Sequence, residues 1–233
     1  MFANYVTTEE FFRLGIDRNK RLVKEADAAA VLQAATHLVQ QDLRNRRYDL
    51  TRLQIPRMFD GIASGVTVTY GDRTSTSIEV DGENRFVVDY RSSTPATFTL
   101  EGSYDNVTWN SVYDPYAAEA DKAVRLLCNE QKRYSVSFSE TYRYYRYVLT
   151  DVASSVTYAA YMVDTALDML FVYRAVMTSL FSRLSDNDDM ITAIYRESKS
   201  AYENLIAGLV MNYDSDGDGQ IDTNVVVRRV AWR

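Results

Sequence analysis

The residues best spaced for chemistry lie near the end of the chain, in Asp214-Ser215-Asp216-Gly217-Asp218-Gly219-Gln220-Ile221-Asp222. Carboxylates at the first, third and fifth positions of such a loop converge on one cation, and glycine at the sixth permits the sharp turn. Gln220 could offer its carbonyl, Ile221 packs inward, and Asp222 acts directly or through a water molecule. The chemistry is calcium coordination, with Asp214, Asp216, Asp218 and Asp222 as ligands. A departure lies at the twelfth position, where a calcium loop uses a bidentate glutamate and this chain has Val225. Weak affinity is therefore expected, and without metal the same run serves as an acidic turn capping a helix end.

Other reactive groups are few. The only histidine is His37 and the only cysteine is Cys128, so zinc sites built from His and Cys and Cys–His nucleophile pairs are excluded. A Ser-His-Asp triad would have to use His37, which sits in a helical stretch and reads as a half-exposed surface group. Asp186, Asp188 and Asp189 cluster before a helix, where carboxylates cap amide groups before they do acid–base work. A non-catalytic protein is expected.

Directly after the acidic loop comes the tail Thr223–Arg233. Val225 and Val227 favour an extended chain, Trp232 is costly to leave in water, and Arg228, Arg229 and Arg233 can pair with an acidic surface. These six residues are the candidate partner contacts. The competing possibility is that the tail folds back as an edge strand of its own subunit.

The elements that must position these groups follow from periodicity. Thr7-Thr8-Glu9-Glu10 fits a capping box that opens a short helix. A longer helix is expected from Glu25 to Arg47, with Ala28, Leu32, Ala35, Leu38 or Val39, and Leu43 on one face and Arg44, Arg46 and Arg47 in its last turn. From Val66 the period falls to two, and VTVTY, SIEV, FVVDY, ATFTLEGS, YSVSFS and YRYYRYVLT read as strands between Gly71-Asp72, Asp81-Gly82 and Asp105-Asn106 turns. A short helix is expected within Asp114–Cys128. After Val152 a helical face returns through Met162, Ala166, Met169 or Leu170, Tyr173, Met177 and Leu180 or Phe181, and a last one runs through Ile191, Ile194, Ser198, Ala201, Leu205 and Leu209. The expected class is α+β: a helical bundle (1–61 and 152–222) interrupted by an inserted antiparallel β-sandwich (62–151), with a C-terminal extended tail (223–233).

Composition narrows the partners. With 233 residues the chain buries a core without staples, and an unpaired cysteine fits assembly in a reducing compartment. A net charge of -6 argues against gripping nucleic acid by its phosphates, while leaving a surface past which DNA slides. Met1–Gly15 carries Glu9, Glu10 and Arg13 and lacks the pattern of a signal peptide, and Ala159–Phe181 is broken by Asp164, Asp168 and Arg174, so no membrane partner is expected. Eighteen tyrosines suit interfaces or a half-wet sheet.

Two resemblances go further. In the β region, Phe98, Leu100, Ser103, Asp105, Trp109, Tyr144, Arg146 and Tyr147 match the pattern of the discoidin, or coagulation-factor C-type, sandwich. That likeness implies a strand ending in a Ser-x-Asp turn and a tryptophan plugging the core, and such domains often bind sugars or lipids through loops. In layout, the leading helix, the long helix ending RNRRYDL, the PRMFDG exit into strands, the return to helices and the YDSDGDGQID loop with its basic tail resemble the head-to-tail adaptor (connector) proteins of tailed bacteriophages. The resemblance implies a virion protein at the head–tail interface, assembled in the host cytoplasm. It further implies a dodecameric ring contacting the portal protein and a tail or stopper protein, with DNA passing without specific binding. The β insert is larger than such adaptors usually carry. The alternative is a carbohydrate-binding β-sandwich module with a helical docking arm.

Overall fold

The computed structural model describes residues 6–8, 10–12, 14, 22–46, 56–61, 65–80, 83–113, 122–181, 183–184, 189–213 and 223–226. The chain is α+β and divides into two compact units, residues 1–55 with 166–233, and residues 56–165.

In the first unit the capping signal is used as expected, with the Glu10 amide donating to Thr7 Oγ1 at 3.2 Å. Helix α1 (Glu25–Asn45) buries Ala28, Leu32, Ala35, Thr36, Val39 and Leu43, so Val39 takes the inward position rather than Leu38. Glu25 and Asp27 sit in its first turn and Arg44 in its last, each sign favourable to the helix dipole.

The β unit follows. Its strands are β1 (Arg57–Met58), β2 (Val66–Val68), β3 (Arg73–Thr74), β4 (Ile78–Glu79), β5 (Arg85–Tyr90), β6 (Ala96–Ser103), β7 (Asn110–Ser111), β8 (Arg125–Cys128), β9 (Arg133–Ser137), β10 (Tyr144–Thr150) and β11 (Val156–Val163). One sheet runs β1-β11-β5-β9 with β2 also on β11, and the other runs β3-β10-β6-β7 with β4 on β10 and β8 on β6. All pairs are antiparallel, and β6 alternates buried and half-buried residues along most of its length. Phe86 and Val88 of the first sheet meet Phe98, Leu100, Tyr145 and Tyr147 of the second in one core.

After β11 the chain returns to helices α2 (Asp168–Phe181) and α3 (Asp189–Gly208), which share a core with α1. Strand β12 (Val210–Tyr213) then pairs antiparallel with β13 (Thr223–Val226).

Three expectations are corrected. The stretch after Val152 is not helical: Val156–Val163 is a central strand, and Asp151, at φ 63°, lies in the turn that carries the chain from β10 of one sheet to β11 of the other. Helix begins only at Asp168. The β unit accordingly spans 56–165 and not 62–151, because β1 and β11 pair across its two ends. Finally, Arg125–Cys128 is a strand on β6, so the helix expected within Asp114–Cys128 is absent from its described part.

Candidate functional site

The metal ligands expected from the sequence, Asp214, Asp216, Asp218 and Asp222, lie outside the described residues, as do Val227, Arg228, Arg229, Trp232 and Arg233. Among the described residues no group of three or more His, Cys, Asp or Glu side chains could hold a metal ion. Val225 is described, and it stands opposite Met211 in the ladder between β13 and β12. One edge of the tail's first strand is thus committed to its own chain, as in the fold-back alternative. His37 is an exposed residue of α1, and Asp189 is exposed at the start of α3; Asp186 and Asp188 are not described.

In the helical unit the structure assembles a group that sequence spacing does not announce. The Tyr202 hydroxyl donates to Asp42 Oδ2 at 2.7 Å, joining α3 to α1. Arg174 of α2 approaches the same oxygen at only 3.7 Å and lays its guanidinium 5.4 Å from the Tyr202 ring centre. Its Nε is buried and has no hydrogen-bond partner. Burial, followed by the bond to Asp42, raises the Tyr202 hydroxyl far above its usual range and keeps it a donor. Beside this group runs a groove of about 340 Å3 lined by Leu38, Arg174, Met177, Thr178, Phe181 and Tyr195. Phe181 is 68 % exposed on its rim; Leu180, its neighbour, takes the core position.

The β unit offers a second group at one end of its six-stranded sheet. Asp105 accepts the amides of Val107 (2.9 Å) and Thr108 (2.8 Å) and the Ser103 hydroxyl (2.9 Å), which locks the turn between β6 and β7 with Asn106 at φ 60°. The Thr108 amide, then that of Val107 and the Ser103 hydroxyl, hold the Asp105 carboxyl well below the usual carboxylate range. On this turn Tyr104 stands 70 % exposed, its ring 4.8 Å from that of Tyr142. The Tyr142 ring in turn packs so close to Gly102 that it leaves no room for a Cβ, and a glycine inside a strand is the sequence signal for such close approach.

Trp109 does not plug the core. It is half-buried, 4.2 Å from the guanidinium of Arg146, which bonds Glu101 at 2.7 Å. Tyrosines fill the interior instead. Tyr147 donates to Asp60 Oδ2 at 3.0 Å and therefore accepts from the Tyr158 hydroxyl 2.8 Å away. Asp60, at φ 58°, also takes the Thr76 amide (2.9 Å) and the Arg73 guanidinium (3.0 Å). Burial first, then the Tyr158 and Asp60 contacts, pushes the Tyr147 hydroxyl far up, so this knot holds its protons at neutral pH and serves cohesion.

A cleft of about 470 Å3 nearby is lined by Arg57, Glu79, Val80 and Arg143. Both arginines already have partners, Glu83 at 3.1 Å and Glu79 at 2.8 Å. Among the described residues, two features stand out for recognition: the apolar groove of the helices and the aromatic turn of the β unit. No family model and no curated protein matches the chain.

Proposed function

We propose that the chain is a structural, non-catalytic head-to-tail adaptor that forms a ring between the portal and the tail of a virion. The observation that carries this reading is the surface of the helical unit. Its helices close an extensive core yet leave Phe181 68 %, Met190 66 % and Leu205 39 % exposed. Phe181 rims an open groove with Leu38, Met177 and Tyr195, and an apolar groove of this kind supports a surface that another protein covers. The insertion of residues 56–165 between α1 and α2 fits a helical scaffold that carries a separate decoration or contact module. Calcium in the Asp214–Asp222 loop, and tail contacts through Val225, Val227, Arg228, Arg229, Trp232 and Arg233, belong to the same proposal.

The test is incubation of purified protein with portal-containing heads, read by electron microscopy. A closed ring seated on the portal is expected, and a protein that leaves the heads bare refutes the reading. Truncation after Asp222 then asks whether the tail is needed, since docking predicts folded protein that no longer joins heads.

One observation favours a second reading, a carbohydrate-binding module. Tyr104, exposed on the locked turn with the half-buried Tyr142 ring 4.8 Å from its own, offers an aromatic face of the kind that stacks on a sugar. A glycan array separates the two, because binding lost in Tyr104→Ala supports the module.

A further inference from the structure

One end of the β unit carries more than the Tyr104 face. The strand registers line up Glu79 of β4, Tyr144 of β10 and Ser103 of β6 in one row across the six-stranded sheet. Neighbouring strands lie about 4.8 Å apart, so the backbones at the two ends of this row are about 10 Å apart. Arg143 directly precedes Tyr144 and Tyr104 directly follows Ser103. The cleft lined by Arg57, Glu79, Val80 and Arg143 thus lies beside the turn that presents Tyr104. Its volume of about 470 Å3 is that of a small-molecule site.

The cleft is held by its surroundings. Arg57 belongs to β1 of one sheet and Glu79 to β4 of the other, so both sheets wall it. The Val80 amide donates to the Arg143 carbonyl at 3.0 Å, and the Tyr142 amide donates to the Tyr145 hydroxyl at 2.9 Å, which pins the backbone around Arg143. The Arg143 guanidinium in turn lies 5.3 Å from the centre of the Tyr144 ring. The carboxylate partners orient the two guanidiniums without exhausting them. Arg57 meets Glu83 through Nε, and its two terminal nitrogens have no partner among the described residues. Arg143 directs Nε and Nη2 to the same oxygen, Glu79 Oε1, which leaves Nη1 and Glu79 Oε2 without a partner among the described residues.

Two guanidiniums facing two carboxylates make this end neutral. A phosphate or a free carboxylate meets Glu79 and Glu83 there, and a cation meets the arginines. A neutral ligand whose groups both donate and accept satisfies the spare donors and the spare acceptor together, and neighbouring sugar hydroxyls are such groups. We infer that this end of the β unit binds a neutral oligosaccharide, with one ring against Tyr104 and another in the cleft between Arg57, Glu79 and Arg143. The inference rests on the carbohydrate-module reading and deepens it by naming the ligand's charge, its length and its second contact. Because the site is held in place before binding, little ordering cost falls on the protein.

The test is a glycan array probed with the full chain. It carries neutral chains of glucose, galactose, mannose and N-acetylglucosamine, from single rings to hexamers, with uronic-acid and sialylated counterparts. Wild type is expected to bind a neutral oligomer more tightly than its single ring and than its acidic counterparts. Arg143→Ala removes the cleft donor, and Glu79→Gln keeps an oxygen for Arg143 while the spare acceptor becomes a donor. Both side chains are exposed, as is Tyr104, so the melting temperature should hold in all three variants. Each cleft variant should bind the oligomer about tenfold more weakly, as should Tyr104→Ala. Wild-type binding by both cleft variants, with loss only in Tyr104→Ala, overturns the inference and leaves the module reading standing. A preference for acidic chains, or single rings bound as tightly as oligomers, overturns it as well. A wild type that binds no glycan overturns the module reading and the inference together.

Discussion

Gly102→Ala is the smallest change that should unsettle the β unit. Gly102 lies in β6 between Tyr145 of β10 and Asn110 of β7, in a ladder that fixes its backbone on both sides. A Cβ built there comes within 2.5 Å of Tyr142 Cγ and 2.8 Å of its Cε2. These are atoms of a ring and not the tip of a flexible chain, so the ring must leave. Leaving costs its contacts with Tyr104 at 4.8 Å and Tyr145 at 6.0 Å. Each such pair contributes about 0.5–1.5 kcal/mol, and overpacking without movement costs about 1–3 kcal/mol. Either route gives about 2 kcal/mol. For a unit of this size that lowers Tm by about 8 °C if the unit melts alone, and by about 5 °C if the chain melts as one. Calorimetry of the full chain reads the shift. The decisive control is Tyr142→Ala, in whose background Gly102→Ala should cost under about 0.5 kcal/mol, since the space is then open. A single variant that melts within a degree of wild type, or a cost undiminished when Tyr142 is absent, refutes the argument.

Other outcomes follow from the same structure. Replacing residues 56–165 with a Gly-Ser linker should leave a helical far-ultraviolet circular dichroism signal, since those residues pack mainly among themselves; collapse of the signal would show a shared core. Asp105→Asn should lower Tm at pH 7. Because the folded Asp105 carboxyl titrates below its unfolded value of about 3.9, its contribution is present above that pH and is lost as pH falls, so variant and wild type should converge under acid. Burial pushes the Cys128 thiol up to about 12, so iodoacetamide at pH 8 should label it only as fast as the β unit opens, with labelling accelerating sharply in urea. Calcium titration by calorimetry should give weak heat that Asp216→Ala abolishes, and no heat at millimolar calcium would leave the loop a capping role alone.

By itself the sequence determined the elements whose signal is local. The capping threonine, the spacing from Ala28 to Leu43 and the alternation in ATFTLEGS each report one face of one element, and all three appear where the pattern places them. The turn at Asp105 is equally local, being built from side-chain bonds that span two or three residues. Strand β11 was not legible. Buried along nearly its whole length, Val156–Val163 has lost the alternation that distinguishes a strand, and a continuous apolar run reads equally well as a buried helix. Only pairing with β5, 68 to 78 residues earlier, decides the matter. Trp109 illustrates the same limit, because nothing in its neighbours tells that tyrosines from β10 and β11 already fill the interior and leave it to Arg146. Asp42, Arg174 and Tyr202 come together from three helices, and Phe181 rather than Leu180 turns outward, through packing angles that no single helix encodes. Periodicity fixes which side of an element is apolar; the tertiary structure decides which apolar side chains find a partner within the chain and which remain for another molecule.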